Sequence, residues 1–393
     1  MPNFILILII FLSQTLHAVV GFDVADFQKC QNNGANFSVT AKNVGQGSCS
    51  VLKNNKNSHH YMVDGGTSSD APLDIINRIA HELGFGESRT DLPSYINTVA
   101  AITSHSDKDH INIFSKLFNL NAILFERMTQ FILGDLRENY DTKYGKDLHE
   151  NVIEVLDRGA YFNVAEYTEN YSLSESGFLY DESLAQNTHL SILCSNAGHG
   201  TSYHNNENTN SAIIRFCING QNILIMGDAS AFTTRRYMIN PDHREALKNT
   251  QLLVESHHGA SDAEGANDGL WLSQIRPRRV AISAGYYGSD SKGYYHPNVE
   301  PFVDLTMIDS LGASAGLFSY DDNHQIAIGV PDPRDHEYVK GQLMQFFTYL
   351  KEAEKPQWLI FQTHLPIYST ATSGDLRYTF NAEGALVDFS REY

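Results

Sequence analysis

The stretch Ser104-His105-Ser106-Asp107-Lys108-Asp109-His110 decides how this sequence is interpreted, and it follows the apolar run Thr98-Val99-Ala100-Ala101-Ile102. Two histidines and two aspartates stand close together where a predicted β-strand ends. Carboxylate oxygen and imidazole nitrogen are ligands that borderline divalent metals bind, and such metals activate water at neutral pH. For this cluster alone, a solvated turn with a helix-capping aspartate is the alternative.

Three further clusters repeat the pattern of an apolar strand followed by a residue that can bind a metal. They are Met62-Val63-Asp64-Gly65-Gly66, Ile225-Met226-Gly227-Asp228 and Val254-Glu255-Ser256-His257-His258-Gly259. Strand ends along one edge of a sheet bring side chains from distant positions together. Taken singly, Asp228 fits a helix N-cap and the histidine pair fits an ordinary surface. Together, the four strand ends predict one metal site.

The charge balance limits the class of partner. The chain has 393 residues, of which 28 are basic and 46 acidic, so its formal net charge is −18. Such an excess repels polyanions, and no dense run of lysine and arginine offsets it. Extended nucleic acid is therefore disfavoured as a partner, and a small molecule fits the charge better. The oligomeric state stays open.

The first twenty residues resemble an export signal. An unbroken apolar run from Phe4 to Leu12 is followed by polar residues and by Ala18, a small residue at a suitable cleavage position. We expect a signal peptide at 1–20 and a periplasmic or extracellular protein. A retained N-terminal anchor is the alternative, although the run is short for a bilayer. No other segment predicts a stable membrane span.

The four cysteines are Cys30, Cys49, Cys194 and Cys217. Cys194 and Cys217 lie on strand-like runs that could be neighbours, which allows a disulfide in an exported chain. Buried free thiols are the equally weighted alternative. No pair has the CxxC spacing of a zinc knuckle.

The periodicity predicts a mixed α/β chain. Hairpins are expected at 49–63 and 211–228, and a helix at 72–83 with its apolar residues on one face. We assign one main domain to 21–330, with an irregular or helical insertion at about 121–185. Residues 331–393 form a C-terminal extension with an amphipathic helix and a strand at 357–362, and no motif there indicates chemistry.

The ordered motifs resemble the metallo-β-lactamase superfamily, and most closely its ComEC-like branch. The resemblance covers roughly 37–330, without 121–185. The matching motifs are Val44-Gly45-Gln46-Gly47, Asp64-Gly65-Gly66, His105 to His110, Asn210-Ser211, Gly227-Asp228, His257-His258-Gly259 and Tyr295-His296-Pro297.

The resemblance implies an αββα sandwich with a metal site at one edge. It implies His105 and Asp107 as ligands of one ion, Asp109 and His110 as ligands of the other, and Asp228 as the bridge. Asp64 would orient a ligand histidine. From the His257-His258 pair we favour His257 as the last ligand, with His258 either supporting a ligand from behind or facing the substrate.

The sequence departs from the family pattern at three places, and only the first of them changes a metal ligand. Asp107 stands where many members have histidine, Ser48 replaces a usual aspartate, and Asn112-Ile113 replace glycines. The histidine that many members place before the bridging aspartate has no match, because His189, His199 and His204 lack its context. Two divalent ions are expected, zinc first, with manganese or iron as alternatives because of the oxygen-rich ligands.

These inferences predict an exported binuclear hydrolase in which a hydroxide held between two ions attacks a phosphoester or phosphodiester. Asp109, His258 and His296 are the candidate catalytic residues, and His258 or His296 would protonate the leaving group. A lactone or β-lactam hydrolase is one alternative. A catalytically silent binding protein on the same fold is the other.

Overall fold

The computed structural model describes residues 37–392 except 55–58, 71, 86–97, 121–126, 136, 154–160, 164–179, 186–187, 199–200, 203–205, 262–266, 286–294, 309–310, 312–322 and 354–356. The strands are β1 (Phe37–Ala41), β2 (Ser50–Asn54), β3 (His59–Val63), β4 (Thr98–Thr103), β5 (Met128–Leu133), β6 (Tyr161–Asn163), β7 (Tyr180–Ala185), β8 (Thr188–Cys194), β9 (Ile213–Ile218), β10 (Gln221–Ile225), β11 (Thr250–Val254), β12 (Val280–Ile282), β13 (His324–Gly329), β14 (Thr348–Glu352), β15 (Trp358–Thr363), β16 (Ile367–Ser369), β17 (Asp375–Phe380) and β18 (Leu386–Glu392).

The α-helices are Leu73–Glu82, Lys108–Ile111, Phe114–Leu120, Lys143–Leu148, Glu207–Asn210, Ala231–Met238, Pro241–Ala246, Gly269–Ile275, Val299–Thr306, His336–Leu343 and Thr370–Ser373. Short 3₁₀ turns occur at Arg137–Tyr140, Ser256–Gly259 and Pro333–Asp335, and a π turn at His149–Ile153. Within the described ranges, none of these helices is both long enough and apolar enough to cross a membrane.

Two large sheets form the centre of the molecule. The first has the order β18-β17-β1-β2-β3-β4-β5-β6 and the second β16-β12-β11-β10-β9-β8-β7, and a small third sheet has the order β13-β15-β14. Alternate residues of a strand point to opposite faces, and β4 is apolar on both. Its Ala100 and Ile102 pack between the two large sheets, whereas Val99 and Ala101 pack on the outer side.

Helices cover both outer faces. Leu73–Glu82 and Phe114–Leu120 bury apolar residues against the outside of the first sheet. Ala231–Met238 and Gly269–Ile275 do the same for the second sheet, together with the third sheet. The four layers are helix, sheet, sheet and helix, which confirms the predicted αββα sandwich.

Chain segments that the sequence set apart supply strands to this sandwich. The stretch 121–185, expected to be irregular or helical, contributes β5 and β6 to the first sheet and β7 to the second. Beyond residue 330, β16 pairs with β12 and β17 pairs with β1. The expected C-terminal helix and strand are present as His336–Leu343 and β15, and both predicted hairpins are confirmed as β2–β3 and β9–β10.

The cysteine prediction is decided for three of the four residues. Cys49, Cys194 and Cys217 are buried free thiols, and burial raises the pKa of Cys194 to about 12. The disulfide considered for Cys194 and Cys217 is wrong, because Cys194 lies opposite Ile213 in the β8–β9 ladder while Cys217 lies opposite His189, near its other end. Cys30 and the predicted signal peptide lie outside the described residues.

Candidate metal centre

The four polar strand ends meet at one edge of the sandwich. β3 pairs with β4 in parallel and β10 with β11 in parallel, so within each sheet the carboxyl ends share an edge. The two edges touch directly, since Ala212 N–H, just before β9, donates to Ser104 O, just after β4, at 2.8 Å. This geometry places Asp64, the His105 motif, Asp228 and the histidine pair around one centre.

Asp228 stands in the middle of that centre. Its Oδ1 lies 3.0 Å from His110 Nε2 and 3.9 Å from His258 Nε2. Its Oδ2 lies 3.7 Å from both His105 Nε2 and His257 Nε2. Each carboxylate oxygen therefore faces two imidazole nitrogens, an arrangement that suits a carboxylate shared by two ions.

Two tight groups of potential ligands surround Asp228. One consists of His105, His110 and Asp228, and the other of Asp109, His110 and His258; the ligand atoms in each group lie within 4.8 Å of one another. Asp107 Oδ2 lies beside the first group, 3.5 Å from His105 Nε2.

The donor atoms fit metal ions because several are buried without another use. His105 Nε2, His110 Nε2, His258 Nε2 and Asp228 Oδ1 are inaccessible to solvent and have no hydrogen-bond partner among the described residues. Leaving buried polar atoms unpaired costs about 1–3 kcal/mol each. Mixed imidazole and carboxylate donors are also the chemistry that zinc, manganese or iron would bind.

Asp64 fixes the orientation of the motif that carries His105 and His110. It accepts a hydrogen bond from His110 Nδ1 at 2.8 Å and two more from Ser104, from N–H at 2.6 Å and from Oγ at 2.9 Å. These contacts leave His110 Nε2 free to face Asp228, as carboxylates behind ligand histidines do. At Gly66, a Cβ atom would overlap the backbone of Asp109 and His110, so only glycine permits this close approach.

The histidine pair lies in a left-handed turn. His257 and His258 have φ of +47° and +54°, and Gly259 follows at +77°. His258 is buried, and its Nδ1 donates to Ser283 O at 2.7 Å, so its Nε2 points to Asp109 and Asp228. His257 is more exposed, with 16% of its side chain accessible. The geometry therefore puts His258, which the sequence did not make a ligand, in a position to bind a metal as well.

The electrostatics follow from burial and opposite charges. Burial lowers the pKa of His110, but the carboxylates of Asp228 and Asp64 outweigh it and hold that pKa well above its ordinary value. Burial raises the pKa of Asp228, yet His110, His257 and His258 together hold it well below the usual range. Burial raises the pKa of Asp109 too, but the nearby His258 and His110 outweigh it and lower that pKa to about 2. Asp109 and Asp228 therefore stay ionised, as metal ligands must.

The solved structures similar to this chain are metallo-β-lactamase fold proteins. The metallo-β-lactamase fold protein YhfI from Bacillus subtilis is 11% identical, with 64% of this chain and 88% of that chain covered and a TM-score of 0.37. A diphosphatase from the PhnP family is 11% identical, with 63% of this chain and 86% of that chain covered and a TM-score of 0.35. Igni18, a metallo hydrolase from the archaeon Ignicoccus hospitalis, is 12% identical, with 63% of this chain and 82% of that chain covered and a TM-score of 0.32.

The sequence matches no protein-family profile and no curated protein. Identities and TM-scores this low assign neither a family nor an activity to this chain. The architecture and the site geometry above are properties of its own residues.

His296 lies beside the centre. Its ring centroid is 5.4 Å from that of His257, and its Nδ1 lies 3.1 Å from Asn298 Oδ1. Burial, with the nearby His257 and His258, lowers the pKa of His296 to about 4. Of the histidines considered for the unmatched ligand position, His189 lies opposite Cys217 in β8, and His199 and His204 lie outside the described residues.

Two supporting residues escaped the sequence reasoning. Ser283, at the end of β12, holds His258 through its carbonyl, and its Oγ donates to Gly47 O at 2.8 Å. Asp135, just after β5, accepts a hydrogen bond from Ser106 Oγ at 3.0 Å and so braces the His105 motif. Both residues follow the end of a strand, so the same sequence pattern that identified the other site residues could have identified them.

Proposed function

We propose that this chain is an exported, binuclear metal-dependent hydrolase that acts on a phosphoester or phosphodiester. The observation that carries the proposal is the carboxylate of Asp228, each of whose oxygens faces two imidazole Nε2 atoms at 3.0–3.9 Å. Export is inferred from the apolar run at the N-terminus.

The residues divide the work of binding and orientation. Two divalent ions held here would supply Lewis acidity and lower the pKa of bound water to about 7. Asp64 fixes His110, and the Ser283 carbonyl fixes His258, so both rings present Nε2 to the centre. His257 is the more exposed of the pair.

The donor set supports phosphoester chemistry. Asp107, Asp109 and Asp228 bring three carboxylates to the centre, which makes it harder than a site built from nitrogen ligands and favours manganese or iron beside zinc. Paired ions also suit in-line displacement at phosphorus, because they stabilise both the attacking and the leaving oxygen.

The ComEC-like branch is part of the proposal and rests on the sequence motifs, two of which lie beside the proposed ligands. Ser48, after Gly45-Gln46-Gly47, donates its N–H to Asp109 O at 2.9 Å. Ser211, after Asn210, accepts a hydrogen bond from Asp228 N–H at 3.2 Å through its Oγ. Both motifs of the resemblance thus lie directly against the proposed ligands, which gives them a role in holding the centre.

Metal content and substrate choice test the proposal together. The purified protein, loaded with Mn²⁺ or Zn²⁺ and dialysed, is analysed for metal and assayed on bis-p-nitrophenyl phosphate, a lactone and a cephalosporin. We expect about two equivalents of metal and turnover of the phosphodiester, both lost in the Asp109→Ala/His110→Ala double variant and kept in Asp70→Ala, an exposed control.

The other outcomes are distinct. A metal-replete protein without stoichiometric metal overturns the proposal. Turnover of the lactone or cephalosporin alone replaces phosphoester by carboxyl chemistry, and bound metal without turnover of any substrate indicates a binding protein.

A further inference from the structure

The adjacent side chains of His257 and His258 both face Asp228, which extended strand geometry would not permit. Adjacent residues of a strand point to opposite faces. Here the left-handed turn directs both imidazoles to one carboxylate, with His257 Nε2 3.7 Å from Oδ2 and His258 Nε2 3.9 Å from Oδ1. The two rings therefore serve different oxygens of Asp228.

The turn is fastened to both sides of Asp228. His257 N–H donates to Gly227 O at 2.9 Å, and Ser256 Oγ donates to Ala229 O at 2.8 Å. These two bonds bracket Asp228 in the chain. The distance between the histidine pair and the carboxylate is therefore set by backbone contacts.

The backbone conformation is costly for the residues that adopt it. A left-handed residue other than glycine costs about 1–2 kcal/mol, and here two follow one another. Strain of this kind concentrates at functional sites, where the surrounding structure holds it in place. If only His258 had a role, a strained backbone at His257 that directs its imidazole to the same carboxylate would serve no purpose.

We propose that the pair is divided between two metal positions. His258 joins Asp109, His110 and Oδ1 of Asp228, and His257 joins His105, Asp107 and Oδ2. This inference rests on the proposed function and gives each histidine of the pair its own metal position. His257 supplies a second nitrogen at the position where Asp107 replaces the usual histidine.

The distances agree with such a division. Two ligands of one tetrahedral ion, each with a bond of about 2.1 Å, lie about 3.4 Å apart. The pairs around Oδ2 are separated by 3.5 Å for His105 with Asp107, and by 3.7 Å for Asp228 with each of His105 and His257. His257 lies outside the two tightest groups, so its partly exposed side chain must move closer to His105 when an ion binds.

Glycine variants separate the imidazole from the backbone strain. The metal-free protein is titrated calorimetrically with Mn²⁺, and bound metal is counted by elemental analysis after dialysis. His257→Gly removes the ring and suits the left-handed backbone, as does His258→Gly. Asn249→Gly is the matched control, because Asn249 is an exposed residue with φ of +61°.

We expect two equivalents in the wild type and in Asn249→Gly. His257→Gly should keep one equivalent at unchanged affinity and bind the other more than about 100-fold more weakly, since loss of an outer partner alone costs about 10–100-fold. The electron paramagnetic resonance signal should change from a coupled Mn²⁺ pair to an isolated ion. His258→Gly should weaken binding of the other metal equivalent instead. Two equivalents at wild-type affinity in His257→Gly would overturn the division, whereas a wild type that binds no metal overturns the proposed function itself.

Discussion

The carboxylate of Asp64 is joined to the imidazole of His110 by a 2.8 Å hydrogen bond in which both side chains are fully buried. Replacing Asp64 with asparagine keeps the shape but removes the charge that orients the ring. We expect Asp64→Asn to weaken metal binding about 10–100-fold. Competition with a chromophoric chelator measures this, with the exposed Asp70→Asn as control. An unchanged metal affinity would show that His110 needs no support from Asp64.

A glycine variant tests how tightly the two sheet edges are packed. A Cβ atom at Gly227 would overlap Cβ and Oγ of Ser104, and Gly227 has φ of +51°. We expect Gly227→Ala to lower the free energy of unfolding by about 2–4 kcal/mol, from overpacking and strain together. In Gly341→Ala, where the added atom meets open space within a helix, we expect a gain of about 0.5–1 kcal/mol. Denaturant titration compares them.

Local patterns in the sequence predicted much of this arrangement. Asp64 and the His105 motif follow β3 and β4, which pair in parallel, and Asp228 follows β10, which pairs in parallel with β11 in the second sheet. The hairpin at Asn219-Gly220 was equally readable, since both residues take left-handed backbone angles that suit this dipeptide. Short-range rules suffice where a residue's position depends on its own strand.

The orientation of His257 and His258 could not be predicted by the same rules. The expectation assumed strand geometry, whereas tertiary contacts with Gly227 and Ala229 hold the pair in a left-handed turn. β5 was missed because its residues Thr129 and Gln130 interrupt the apolar pattern, although the strand pairs with β4. The separation of Cys194 from Cys217 depends on the register of β8 and β9, which a single sequence does not encode locally.

A buried ion network ties the C-terminal strands to the rest of the fold. Asp375, at the start of β17, lies 2.5 Å from Lys42 Nζ and 3.0 Å from Arg78 Nη1, and it is 3% exposed. In Asp375→Ala, Lys42 stays buried but loses its nearest carboxylate. We therefore expect the free energy of unfolding to fall by about 3–5 kcal/mol. The exposed pair Glu245–Lys248 is the control, and Glu245→Ala should cost less than about 1 kcal/mol. Equal effects would contradict a structural role for the network.

Acid should destabilise the protein through His60. Burial, with the charge of Lys53, lowers the pKa of His60 to about 4. Because the unfolded value is near 6.5, the unfolded chain takes up this proton first. His60 therefore does not lower the free energy of unfolding above pH 6.5. Between pH 6.5 and 4 it lowers that free energy progressively, by about 3 kcal/mol in total. In His60→Gln, the unfolding free energy should fall less steeply between pH 6.5 and 4, and His81→Gln controls for loss of an exposed imidazole. Parallel profiles in wild type and His60→Gln would refute this assignment.

Asp107 should tune the choice of metal. Its Oδ2 lies 3.5 Å from His105 Nε2, and 45% of its side chain is exposed, so a larger residue can be accommodated there. Asp107→His replaces a hard oxygen donor with an imidazole, which zinc binds more readily than manganese does. We expect the ratio of zinc to manganese affinity to rise in Asp107→His and to stay constant in the exposed control Asp70→His, as measured by chelator competition with each metal. Because the proposed phosphoester chemistry relies on an oxygen-rich centre, turnover with manganese should fall in the same variant. An unchanged affinity ratio would place Asp107 outside the ligand set and leave His105, Asp228 and His257 to hold that position alone.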